Sequence, residues 1–166
     1  SHRFDIAQAE EAYELIGGRK SSLGILLDYP QGSLEKFSRT VKLFSNGNIS
    51  CSQKKRVSFI GSGNYATAIL IPIFKKAGAY LQSVISSNGV SGLHAGRKFG
   101  FQETSTDKNS IYLNKDTDAV VISTRHDSHA DYVLNGIKND KHIFVEKPLC
   151  LNLNELKKIH DAQLKA

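Results

Sequence analysis

A short apolar run, Val57–Ile60, ends in Gly61-Ser62-Gly63-Asn64-Tyr65-Ala66 and opens into a helical stretch, Tyr65–Ala77. This glycine spacing between a strand and a helix constrains the fold more than any other feature of the chain. Gly61 permits the tight turn, Gly63 leaves the main chain bare, and Ala66 is small enough for the helix to pack on the strand. The helix amino end adds free N–H groups and a partial positive charge, which together suit a phosphate. A strand–helix turn without a ligand can carry the same letters, but the flanking strand and helix favour dinucleotide binding. Pro72 lies inside the helix and removes one backbone donor, so a bend is expected there.

The same alternation continues to the end of the chain. Leu81–Ser86 reads as a strand and Gly92–Lys98 as a short helix stopped by Gly100. An extended piece follows at Gln102–Thr104, and Asp107 is placed to cap a helix reaching Leu113. Ala119–Ser123 has the composition of a fully buried strand. Ser128–Lys138 is helical in period, with Ala130, Val133, Leu134 and Ile137 on one face. Lys141–Val145 is a fifth strand. Asn152 opens the last helix, and Glu155 completes a capping-box pattern. Five strands separated by helices predict an α/β, doubly wound parallel sheet of the Rossmann type, strand order 3-2-1-4-5. Ligands of such sheets bind beyond the carboxyl ends of the strands, where the order reverses.

Residues 1–55 read differently. AEEAYELIGG is a helix ending in glycine, and LGILLDYP is a strand stopped by Pro30, which could join an exposed sheet edge. The polar stretch after it holds one short strand candidate, Arg39–Phe44. We therefore expect an amino-terminal helix–strand extension and linker over 1–55 and the sheet domain over 56–166. A chain of 166 residues can bury a real core. Its net charge of +6 is spread evenly: nine basic and six acidic residues up to Arg56, thirteen and ten after it. That argues against a nucleic-acid stripe. Cys51 and Cys150 form no C-x-x-C pair, so neither a redox couple nor a zinc clamp is encoded. The longest apolar run, residues 66–74, falls short of the roughly 20 residues that span a bilayer. With no signal-peptide pattern, the expectation is a cytoplasmic protein with no membrane partner. The sequence contains no methionine, so it reads as a piece of a longer polypeptide, with Ser1–His2 as a tag remnant.

Three further segments carry chemistry. About 20 residues past Ala66, where a carboxylate would select NAD, the chain has Ser86-Ser87-Asn88-Gly89. Nothing there repels a 2′-phosphate, and no arginine stands adjacent to clamp one. The cofactor is read as NAD or NADP, with a slight lean to NADP; an ordinary polar turn fits the letters equally well. A methyltransferase would want an acidic residue at this point. The second segment, Ser123-Thr124-Arg125-His126-Asp127-Ser128-His129, follows a buried strand. Neighbours in one turn rarely aim at a common atom, which argues against a hydrolytic triad. His126 and His129 lack companion ligands, so no metal is expected. In the third, Glu146-Lys147-Pro148 follows the fifth strand. A lysine there can donate a hydrogen bond to a substrate hydroxyl or a developing carbonyl oxygen. Pro148 would fix the turn, with a cis peptide as one option. A surface Glu–Lys pair before a turn is the plain alternative.

Residues 57–165 resemble the amino-terminal domain of the glucose–fructose oxidoreductase / inositol dehydrogenase (Gfo/Idh/MocA) family. The matching blocks are GSGNYA at 61–66, DTDAVVIST at 116–124, His129 and KHIFVEKPL at 141–149. The resemblance implies NAD(P) binding and hydride transfer at a hydroxyl-bearing carbon of a sugar or polyol. By position, Gly61, Gly63, Asn64, Tyr65 and Ala66 would form the phosphate turn, and Ser86, Ser87 and Asn88 the adenosine ribose seat. Thr124 and His129 would line the nicotinamide side, Glu146 and Pro148 would shape the loop, and Lys147 would be the catalytic residue. Arg125-His126 stands where the family commonly has Pro-Asn. The family's catalytic histidine and aspartate lie in a second domain, so this chain is expected to bind cofactor without turnover on its own. A homo-oligomer is compatible with this. A non-catalytic dinucleotide sensor on the same fold is the alternative. Residues 6–30 are similar to the carboxyl end of zinc-type alcohol dehydrogenases, without any zinc ligand, which implies a junction between two oxidoreductase halves.

Overall fold

The computed structural model describes residues 1–18, 22–29, 38–44 and 55–166. Two compact units emerge, Ser1–Ser38 and Arg39–Ala166. In the first, β1 (His2–Asp5) leads through a 3-10 turn into α1 (Ala9–Gly17) and then β2 (Ile25–Asp28). The two strands pair in parallel, His2 opposite Ile25 and Asp5 opposite Asp28. The helix supplies the crossover that parallel pairing requires. Asp5 caps the turn through a carboxylate that accepts from the Ala7 amide. Arg3 reaches both carboxylate oxygens of Asp28. The segment at 23–30, expected at a sheet edge, thus pairs with β1; Pro30 lies outside the described residues.

The second unit is the sheet domain. Its strands are β3 (Thr40–Lys42), β4 (Arg56–Ile60), β5 (Tyr80–Ile85), β6 (Glu103–Ser105), β7 (Ala119–Ile122) and β8 (His142–Val145). The spatial order is β3-β6-β5-β4-β7-β8. From β6 to β8 all pairs are parallel, in the expected 3-2-1-4-5 order. The sheet gains one strand over the sequence reading. β3 adds antiparallel to β6, so the sheet unit begins at Arg39 rather than at residue 56. Two features hold β3 there. Thr40 and Val41 are β-branched, and Leu43 packs over Gly96, where a Cβ would collide with its side chain.

Alternation along the central strands sends side chains to both faces. Phe59, Val84 and Val121 enter one core with Leu70, Ile71 and Phe101. Ile60, Ile85, Val120 and Ile122 enter the other with Ile111, Val133 and Ile159. The helices covering these faces are α2 (Ile71–Lys76), α3 (Val90–Phe99), α4 (Ser110–Leu113), α5 (His129–Lys138) and α6 (Leu153–Gln163). Gly100 stops α3 at φ +86°, with its amide on the Gly96 carbonyl. Asn152 caps α6 by accepting from the Glu155 amide.

The bend expected at Pro72 takes a particular form. Ala66–Leu70 is a π turn, closed by the Ile71 amide on the Ala66 carbonyl, and α2 begins directly after it. Pro72 has no N–H, and its ring crowds the carbonyl four residues earlier. Widening the preceding turn relieves that crowding and leaves the helix continuous.

Candidate functional site

The glycine turn lies between β4 and the π turn, at the carboxyl end of the sheet. Gly61 has φ +102° and its amide donates to the Ile85 carbonyl at 2.9 Å. A Cβ there would stand 2.6 Å from the Ser123 carbonyl oxygen. Gly61 therefore lets the exits of β4 and β7 close on each other. Gly63 differs: a Cβ there would meet no atom within 4 Å. Its main chain faces open space. Among the described residues, the Ser62 and Gly63 amides have no acceptor. Ala66 is buried in the first core, in the cluster that includes Val57 and Phe59 of β4.

Two cavities flank this turn and share Gly63, Asn64, Ser123 and Thr124 in their walls. The larger, about 1040 Å³, runs from the turn to Ser86, Ser87 and Asn88 beyond β5. Thr106 and Lys108 beyond β6, and Arg125 and Asp127 beyond β7, also border it. The smaller, about 460 Å³, passes Tyr65, His126 and His129 to Glu146 and Lys147 beyond β8. Together they make one crevice across the point where the strand order reverses, as in doubly wound sheets that bind dinucleotides. Bare amides at the centre and a length spanning both sides of the turn fit a diphosphate with a nucleoside on either hand.

The sequence over residues 55–166 matches the GFO_IDH_MocA family, described as an oxidoreductase family with an NAD-binding Rossmann fold. The chain belongs to that family. A scyllo-inositol 2-dehydrogenase (NAD(+)) of Bacillus subtilis (strain 168) is 39% identical over 61 residues, 37% of this chain and 18% of that protein. A myo-inositol dehydrogenase from Lactobacillus casei, solved with NAD(H) and myo-inositol, has a TM-score of 0.64 and 29% identity, covering 68% of this chain and 34% of that one. A 3-ketoreductase from Actinomadura kijaniata, solved with NADP and TDP-benzene, shares the fold at TM-score 0.63 and 18% identity, over 68% of this chain and 36% of its own. The chain spans 18–31% of the length of the curated relatives it matches. Residues 55–166 are a GFO_IDH_MocA domain, with the NAD-binding Rossmann fold of that oxidoreductase family.

Within this GFO_IDH_MocA domain the expected site residues divide by what their polar atoms touch. Ser87, Asn88, Asn64 and Tyr65 are exposed along the crevice. Ser86 is buried, and its hydroxyl accepts from the Gly92 amide at 3.0 Å, so it anchors the start of α3. The Thr124 hydroxyl contacts the Ser128 hydroxyl at 2.7 Å. His129 is fully buried. Its Nδ1 lies 2.7 Å from the Pro148 carbonyl oxygen and its Nε2 3.1 Å from that of Thr124. Both nitrogens face acceptors within the protein, and the ring ties the Thr124 turn to the Glu146–Pro148 turn. Glu146 is held by its amide on the Ile122 carbonyl. The Lys147–Pro148 peptide is cis. Lys147 is exposed at the crevice and enters no ion pair among the described residues.

Lys108, Thr106 and Tyr132 also border the large cavity and were not picked out from sequence. Burial, and after it the charge of Asp131, raise the Tyr132 phenol above its ordinary pKa. Lys108 carries no signal of its own in the sequence, since its place at the cavity follows from the pairing of β5 with β6. Among the described residues no cluster of His, Cys, Asp or Glu could hold a metal, and no helix is long and apolar enough to cross a membrane.

Proposed function

We propose that this chain forms the cofactor half of a sugar or polyol dehydrogenase. The observation that carries the reading is the pair of adjoining cavities, one lined by Ser87–Asn88 and the other by Lys147, that share the bare Gly63 turn. The Ser62 and Gly63 amides donate to the diphosphate. Ser87 and Asn88 meet the adenosine ribose, while Ser86 and Ala66 shape the two turns. Thr124, Tyr65 and Glu146 border the nicotinamide end. The dinucleotide, when bound, supplies hydride acceptance or donation at its nicotinamide ring. Lys147 donates a hydrogen bond to the oxygen on the reacting carbon and stabilises the charge that develops there. His129 works through others: it holds the Lys147 loop against Thr124. A second domain completes the substrate pocket and the proton transfer.

Two further parts of the proposal concern the rest of the protein. Residues 6–30, within the extension over 1–55, belong to the tail of a half similar to zinc-type alcohol dehydrogenases, a reading supported by their likeness to the carboxyl end of those enzymes. The protein works in the cytoplasm on small molecules. The test has two arms. Titration of this chain with NADH and NADPH, followed by nicotinamide fluorescence, should saturate at one site. In the full-length polypeptide, Lys147→Ala should lower kcat on a responsive polyol by a hundredfold or more with cofactor Kd little changed. Absence of binding by either nucleotide overturns the proposal.

A further inference from the structure

We infer that Lys108 selects the phosphorylated form of the cofactor, by pairing with a phosphate monoester on the adenosine ribose. The inference rests on the dinucleotide reading of the crevice and deepens it. Neither Lys108 nor a basic seat at this end was evident from the chain order, because the lysine is 20 positions from Asn88. The sheet register brings them together. In the β5–β6 pair, Ile85 stands opposite Ser105. The Ser86 amide continues that ladder onto the Ser105 carbonyl at 3.2 Å. Three residues past Ser86 and one past Ser105, a Cβ on Gly89 would lie 3.2 Å from the Thr106 methyl, so the two loops run close together. Asn88 and Lys108 each lie three residues past the paired positions, and both border the same cavity.

The charge at this end is one-sided. Lys108 is exposed and forms no ion pair among the described residues. Its neighbour Asp107 turns its carboxylate toward the start of α4, accepting from the Asn109 amide at 3.0 Å. The loop after β5 carries only hydroxyl and amide groups at Ser87 and Asn88. The other charged groups bordering the cavity, Arg125 and Asp127, come together from the loop after β7 and offset one another in sign. A ribose with a free 2′-hydroxyl gives Lys108 nothing to neutralise. A 2′-phosphate dianion gives it a charge-assisted partner, with Ser87 and Asn88 as further donors.

The experiment compares NADPH and NADH affinity for this chain by fluorescence titration, in wild type, Lys108→Gln and Lys108→Arg. NADPH should bind the wild type more tightly. Lys108→Gln should cut the NADPH-to-NADH affinity ratio by about ten- to a hundredfold, and Lys108→Arg should restore most of it. Raising salt should narrow the wild-type ratio more than the Lys108→Gln ratio. Thermal melts check that each variant is folded, as expected for an exposed side chain. Equal affinities in the wild type, or a ratio unmoved by Lys108→Gln, overturns the inference while leaving the dinucleotide site intact. Binding of neither nucleotide overturns the site itself, and the inference with it.

Discussion

Replacing Gly63 with valine separates the phosphate turn from an ordinary loop. A Cβ at this position meets no atom within 4 Å, and φ lies outside the left-handed region. The protein alone therefore accommodates the side chain, and stability should move by no more than about 0.5 kcal/mol, as for other surface substitutions. Under the proposed placement, the space that valine fills is the one through which a diphosphate would reach the Ser62 and Gly63 amides. Each hydrogen bond to a charged group is worth about 1.5–3 kcal/mol. Loss of both thus costs about 3–6 kcal/mol, a rise in Kd of a hundredfold or more at about 1.4 kcal/mol per decade. Isothermal titration of wild type, Gly63→Ala and Gly63→Val with NADPH measures it, with a urea melt of each variant beside it. The loss should grow from alanine to valine while the melts overlay. A folded Gly63→Val chain with wild-type affinity would refute the placement of the diphosphate.

Gly61→Ala should do the opposite. Its Cβ lands 2.6 Å from the Ser123 carbonyl oxygen at φ +102°, so the urea midpoint should fall by the equivalent of about 1–3 kcal/mol. An unshifted midpoint would show that the β4 and β7 exits can part freely. Pro72→Ala restores a backbone donor after the π turn of Ala66–Leu70. The turn should relax to α-helix and the new amide at 72 should be protected in hydrogen exchange; a freely exchanging amide would assign the π turn to another cause. Tyr112 is buried and its hydroxyl donates to the Tyr132 carbonyl at 2.9 Å. Burial, with Tyr132 nearby, pushes its phenol above the usual value near 10. The folded state thus favours the neutral phenol, and this stabilisation is complete below about pH 10 and lost as pH rises through the folded pKa. Urea midpoints from pH 8 to 11 should fall more steeply for wild type than for Tyr112→Phe, and parallel profiles would contradict this.

What could be read from the letters depends on whether a residue's own chemistry or its neighbours' decide its role. β7 was legible because Ala119-Val120-Val121-Ile122 is an unbroken apolar run, and β4 and β5 because their apolar residues are interrupted by residues such as Ser58 and Ser83, small enough to be buried with them. β1 was not, because His2-Arg3-Phe4-Asp5 is mostly charged and polar, and what makes it a strand is a partner more than 20 residues away. β3 was visible as a short strand, but its place in the sheet depends on Leu43 meeting Gly96 across a long gap in sequence. The site follows the same division. Gly61 and Gly63 were legible since bare main chain is a property of the residue itself. Ser86 and His129 looked like ligand contacts because a hydroxyl and an imidazole suit that task. Their partners are a backbone amide and two backbone carbonyls, groups that every sequence contains and no letter marks. Lys108 lay beyond reach for a related reason: its position beside Asn88 follows from the register of two parallel strands. A shift of that register by one residue would turn its neighbours to the other face, so the cation at the ribose end is a consequence of how β6 packs as much as of the lysine.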